Sequence, residues 1–181
     1  MNESSPTVSL QIRNPFGNNI TGALFGSGIQ DRDRVYRAIF DSMFQFMGVL
    51  TPGGQVVDVN RSALNFAAID RGAVLGHFAW ETPWFAHDSS ARLRLREAIK
   101  RAANGDFLRY EEEIIGASSA RAPIDLSIKP VRDASSRVIL LIAEGRDITE
   151  SRVAREALRD SQQRFQMLFD HTSIGLATIE P

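Results

Sequence analysis

The chain has 181 residues, 43% of them hydrophobic, with 21 basic against 22 acidic side chains and no cysteine. That length is about one domain's worth, and the apolar share is enough to bury an ordinary core. The near-neutral charge argues against a nucleic-acid surface, and the lack of cysteine excludes disulfides, thiolate metal sites and a cysteine-linked flavin.

Residues 1–30 are rich in Ser, Asn, Gly and Thr and show no sustained period, which predicts a flexible N-terminal extension. Val35, Tyr36, Ile39, Phe40, Met43 and Phe44 then recur at helical spacing and predict an amphipathic helix over 34–44 whose apolar stripe needs cover. Phe46–Thr51 and Val56–Val59 read as two strands around the turn Pro52-Gly53-Gly54. Short helical pieces follow from Arg61 to Gly76, then an aromatic segment, His77 to Phe85, which Pro83 breaks and which reads as a loop on a pocket rim. A longer helix, capped by Ser89 or Ser90, turns Leu95, Ala98, Ile99, Ala102 and Ala103 to one side and stops at Asn104-Gly105. Three strands are expected over Phe107–Ile115, Pro123–Val131 and Val138–Glu144.

The last of these is apolar at alternate and intervening positions alike, so it is expected to be covered on both faces and central. Strands grouped at both ends with helices between them give an α+β domain with an antiparallel five-stranded sheet and helices on one face. After Asp147 a charged helix runs to about Asp170, with a weak seam of Ser151, Ala154, Leu158, Ser161, Phe165 and Leu168. No apolar run is long enough to span a bilayer, so a soluble, cytoplasmic segment without membrane contact is expected.

Residues 36–52 and 165–181 match at a constant offset, Phe40-Asp41 with Phe169-Asp170 and Pro52 with Pro181. This predicts tandem domains: the extension 1–30, one domain with its N-terminal helix over 31–146, a helical linker over 147–168, and the start of a second repeat at 169–181.

The pieces FDSMFQFMGVLTPGGQVVDVNRSAL (40–64), LGHFAWETPWF (75–85), REAIKRAANGDFLRYEEEI (96–114) and IDLSIKPVRDASSRVILLIAEGRDITE (124–150) resemble the PAS sensory family. The likeness is to the PAS repeats of bacterial sensor histidine kinases and diguanylate cyclases. It implies the PAS fold and a sensory or dimerising role in signal transduction. It also implies a homodimer, a small-molecule ligand, and a downstream PAS repeat and output domain that would carry any enzymatic activity. Asp147, Ile148 and Thr149 resemble the family's signal-transmission junction. The dimer contact is expected on the helix 34–44, through Val35, Tyr36, Ile39, Phe40 and Met43.

The aromatics Phe78, Trp80, Trp84 and Phe85 would either line a pocket for a flat cofactor or apolar metabolite, or simply cap the core. His77, Glu81, His87 and Asp88 lack the pattern of known metal motifs, and no metal site is assigned. No cofactor is expected. Haem is disfavoured because the resemblance puts an axial histidine on the helix 89–104, which has none, whereas a non-covalent flavin stays compatible. Residues expected to line the cavity are Phe66, Phe78, Trp80, Trp84, Ile99, Tyr110, Glu112, Leu126, Ile128 and Ile142. Glu112 shares its strand face with Tyr110 and Ile114, so it is expected to point inward, where a carboxylate needs a partner or a raised pKa. No nucleophile or phosphate loop accompanies the three acids, and no catalytic residue is assigned. The row Arg92, Arg96, Lys100, with Arg94 and Arg101, reads as the solvated side of its helix.

Overall fold

A computed structural model describes residues 29–172, with side chains over 31–168. The expected N-terminal extension therefore lies outside the described residues except for its last two, and the second-repeat segment lies outside except for the backbone of 169–172.

Two units are distinguished, and the chain passes from one to the other between Ser42 and Met43. In the first, helix α1 (Ile29–Ser42) carries Asp31 in its first turn, where an acid suits the partial positive charge of a helix N-terminus. Tyr36 and Phe40 lie one turn apart and stack at 5.3 Å. Ser42 closes the helix by donating its hydroxyl to the Ile39 carbonyl at 2.8 Å.

The second unit holds the five-stranded sheet. Strands β1 (Phe46–Leu50) and β2 (Val56–Val59) form a hairpin whose turn is closed by Gly54 N–H donating to the Thr51 carbonyl. Gly54 is fixed on two counts: its φ is +91°, and a Cβ there would collide with the Trp80 ring. Helix α2 (Arg61–Ala67) and three 3-10 turns (Arg71–Ala73, Ala79–Glu81 and Pro83–Phe85) lead to α3 (Ser89–Ala103). Strands β3 (Leu108–Ile115), β4 (Arg121–Arg132) and β5 (Val138–Asp147) complete the sheet, and α4 (Thr149–Thr172) leaves it.

The order is β2-β1-β5-β4-β3, and every neighbouring pair is antiparallel. The central place of β5, expected from its unbroken apolar run, is thus observed. One sheet face carries Leu50, Ile114, Ile124, Leu126, Ile128 and Leu141, all buried, and α3 covers it with Ala91, Leu95, Ala98, Ile99 and Ala102.

Two local features differ from the sequence reading. The cap of α3 is Asp88, which accepts from Ser90 N–H at 2.8 Å and Ala91 N–H at 3.2 Å, and not Ser89 or Ser90. A carboxylate accepts two amides at once and adds its charge to the helix terminus. The aromatic segment is two successive 3-10 turns with Trp84 and Phe85 buried, not an open loop, and Pro83 opens the second of them. Proline suits a first helical position because the N–H it lacks would have no helical partner there.

A fully buried polar residue pins the start of the sheet. Asn60 caps α2 by accepting from Ala63 N–H and accepts from Met47 N–H, while its amide donates to the carbonyls of Met43 and Gln45. Four bonds satisfy both ends of the side chain, as burial demands.

Candidate functional site: an apolar cavity under the helices

A cavity of about 90 Å³ lies between the sheet and the helical segment. Its floor is Gly48 and Leu50 on β1, Val59 on β2, Ala143 and Gly145 on β5, Ile124 and Leu126 on β4, and Ile114 on β3. Its roof is Ala63 on α2, Thr82, Trp84 and Phe85 in the turns, and Leu95 on α3.

The lining offers almost no polar handle. Trp84 turns its ring to the cavity and donates its indole N–H to the Ala63 carbonyl at 3.2 Å. Thr82 is buried and donates its hydroxyl to the Ala79 carbonyl at 2.6 Å. Both side-chain donors are thus spent on backbone, and the lining that a guest would meet is nearly all carbon.

Of the residues expected here, Trp84 and Leu126 line the cavity. Phe78, Trp80 and Ile99 line a separate surface groove of about 510 Å³ with Pro52, Arg96 and Lys100. There Phe78 and Trp80 stack at 4.7 Å, and the Arg96 guanidinium sits over the Trp80 ring at 5.6 Å. Phe66 packs on the core edge with its ring 5.1 Å from Phe46, and Ile128 is wholly buried core. Ile142 is a correction: Leu141, Ala143 and Gly145 take the inner face of β5, so alternation puts Ile142 on the other face.

Glu112 does point inward, as expected, and is buried among α3 and β3 side chains rather than along the cavity wall. Arg94 meets it in a two-pronged pair with both N···O distances 2.8 Å, and Glu113 N–H donates to it at 3.1 Å. The side-chain hydrogen bond to Glu112, with the carboxylate's charge, holds the Arg94 guanidinium still further from losing its proton. Tyr110 lies next to this pair with its hydroxyl buried and without a partner. Burial first, then the charge of Glu112, pushes the Tyr110 hydroxyl pKa well above its ordinary value.

The basic row on α3 is not simply a solvated face. Arg94 holds Glu112, Arg92 donates to the Trp80 carbonyl at 3.1 Å, and Arg96 covers the Trp80 ring. Such contacts need the long arms of arginine to bend back over the helix, which periodicity cannot report. Among the described residues no group of three His, Cys, Asp or Glu side chains could hold a metal ion. No helix among them is long and apolar enough to cross a membrane.

The junction residues form the turn into α4. Asp147 accepts from Thr149 N–H at 2.8 Å and from the Thr149 hydroxyl at 2.6 Å, an Asx-type turn. Ile148 N–H donates to the Pro123 carbonyl on β4, and the Ile148 carbonyl accepts from Arg152 N–H. Further on, Arg152 lies 3.2 Å and Arg155 4.0 Å from the Glu111 carboxylate on β3. On the expected dimer contact, Val35 is half-buried and Tyr36, Ile39 and Met43 are exposed. Phe40 is 5% exposed.

The model of the PAS fold family matches residues 40–153. The chain belongs to the PAS family. It is 31% identical over 141 residues to the sensor histidine kinase TmoS of Ectopseudomonas mendocina, a match covering 77% of this chain and 14% of that protein. It is also 31% identical over 144 residues to hybrid signal transduction histidine kinase D of Dictyostelium discoideum, covering 78% of this chain and 9% of that protein. The chain thus spans a small part of the length of these curated relatives. Among solved structures, the PAS domain of Bordetella pertussis BvgS superposes with a TM-score of 0.55 at 18% identity, over 74% of this chain and 98% of that one. The PAS domain of an HTR-like protein from Haloarcula marismortui gives 0.51 at 17% identity, over 66% and 94%. Both likenesses are of fold.

Proposed function

We propose that this PAS domain is a sensor for a small, uncharged, apolar molecule, and that it passes occupancy of the cavity to α4 and an output domain beyond it. The observation that carries the reading is the cavity itself: about 90 Å³, walled by carbon, with its two polar side chains already committed to backbone. A dry cavity of about 150 Å³ lined by Leu, Ile and Phe takes up benzene, so this one, smaller and open on one side, encloses about three or four carbons and takes guests up to about six only with part of the guest in its open side. A haem or flavin belongs to pockets of roughly 300–1,000 Å³, larger than this cavity. Similarity to sensor histidine kinases supports a kinase-type output.

Signalling requires that the guest bind two arrangements of the domain unequally. The route favoured here runs from β5, which forms part of the floor, through Asp147-Ile148-Thr149 into α4. Homodimerisation belongs to the same reading, supported by the exposed apolar side chains Ile39 (55%) and Leu158 (61%). A ligand-free dimerisation module is the competing reading.

Thermal shift and calorimetry with benzene, phenol and benzoate separate them. Benzene should bind and raise the melting temperature. Phenol should bind more weakly, since the Thr82 hydroxyl oxygen is the one side-chain acceptor in the lining that could take its proton, and benzoate should not bind. Benzoate binding best would remove the apolar assignment, and no binding by any of the three would leave the dimerisation module.

A further inference from the structure

The cavity has a specific origin in β1. Gly48 stands opposite Val59 on β2 and Ala143 on β5, with Phe46 and Leu50 two residues away on the same face. The backbone does not require glycine at this position. Among the described residues the glycines with positive φ are Gly54, Gly76 and Gly105, and Gly48 is not among them.

Nor does close packing forbid a side chain. A Cβ on Gly48 would meet Ala143 Cβ and Val59 Cγ1 at 3.9 Å and the Asp58 carbonyl at 4.0 Å, all ordinary van der Waals contacts. A strand-interior glycine weakens its strand and often marks a place where a ligand approaches closely. Here the space that its side chain would take opens into the cavity.

We propose that Gly48 is the residue that sets the size of the molecule the cavity accepts. This rests on the cavity being a binding site for apolar guests. Its chemistry is steric exclusion alone: each carbon added at position 48 subtracts from the room left for the guest. Ala143, directly across the sheet, bounds the same space from the other side and is the place to test the opposite change.

The experiment measures benzene and ethylbenzene binding by calorimetry, and melting temperature without ligand, for the intact chain and for Gly48→Ala and Ala143→Gly. Gly48→Ala should melt higher when empty, because it fills space and strengthens a strand. It should also bind benzene about tenfold more weakly, the usual discrimination for one methylene-sized group. Ala143→Gly should shift the preference towards ethylbenzene by a similar factor. If the intact chain binds benzene and both variants keep its affinities for the two probes, the size role of Gly48 is overturned while the sensor reading stands. If the intact chain binds neither probe, the sensor reading fails first and the size role falls with it. If Gly48→Ala melts lower and loses benzene, only an unchanged preference in Ala143→Gly counts against the proposal, because that variant adds no atoms.

Discussion

Arg94 on α3 and Glu112 on β3 form one ion pair whose two ends live in different surroundings. The Glu112 side chain is 5% exposed and that of Arg94 is 50% exposed. Removing Arg94 strands a buried carboxylate, whereas removing Glu112 leaves a guanidinium that can turn to water or to Asp88, 3.5 Å away. Arg94→Ala should therefore cost about 2–3 kcal/mol and Glu112→Ala about 1 kcal/mol. Urea unfolding of the two variants checks this. Equal losses would mean that the pair is solvated at both ends.

Tyr110 gives an alkaline signature. Its hydroxyl is buried without a partner, and burial raises its pKa. The unfolded chain releases this proton from about pH 10, while the folded chain keeps it. The stabilisation is therefore complete below about pH 10 and falls as pH rises above it, by up to about 1.4 kcal/mol per pH unit. Tyr110→Phe should remove that slope and leave neutral-pH stability unchanged or raised by about 0.5 kcal/mol, since no hydrogen bond is lost. Denaturant unfolding between pH 8 and 11 reads both effects.

Large side chains made the fold legible. The apolar run of β5 announced a central strand, and the Tyr110, Glu112, Ile114 alternation put Glu112 on the correct face. The same run is apolar in both phases, so the sequence does not show that Ala143 rather than Ile142 faces the cavity. The cavity was harder to read because its floor is made of side chains that are missing or minimal: Gly48, Ala143 and Gly145. A search for aromatics finds Phe78 and Trp80, which build the neighbouring groove instead. Asn60 gave no signal either, since its role depends on four backbone groups brought to it by the fold.

Asn60 should accordingly be among the costliest polar positions to change. Asn60→Ala leaves the carbonyls of Met43 and Gln45 and the N–H groups of Met47 and Ala63 without that partner. A loss of about 2–4 kcal/mol is expected even if water rescues some of them. Asn60→Asp keeps the two accepting bonds but sets a buried carboxylate oxygen against the Met43 and Gln45 carbonyls, and so should cost more than Asn60→Ala. A melting series of the three proteins in any other order would contradict this account of the site.

At the exit, Asp147 and Glu111 hold α4 by different means, and they should fail differently. The Asp147 carboxylate closes the turn at the backbone, binding Thr149 through both N–H and hydroxyl. Glu111 reaches Arg152 and Arg155 through side chains that are all about half exposed or more. Exposed ion pairs contribute little and weaken in salt, so Glu111→Ala should cost under about 0.5 kcal/mol and less still in 0.5 M salt. Asp147→Ala should cost about 1 kcal/mol at any salt concentration, a typical figure for a lost helix-end bond. Amide hydrogen exchange should then quicken at Ile148, Thr149 and Arg152 in Asp147→Ala while the core of β5 stays protected. Benzene affinity should be unchanged, because neither residue touches the cavity. Exchange that quickens along the whole of β5 would mean that Asp147 holds the sheet as well as the turn, and its assignment as a junction residue would have to be given up.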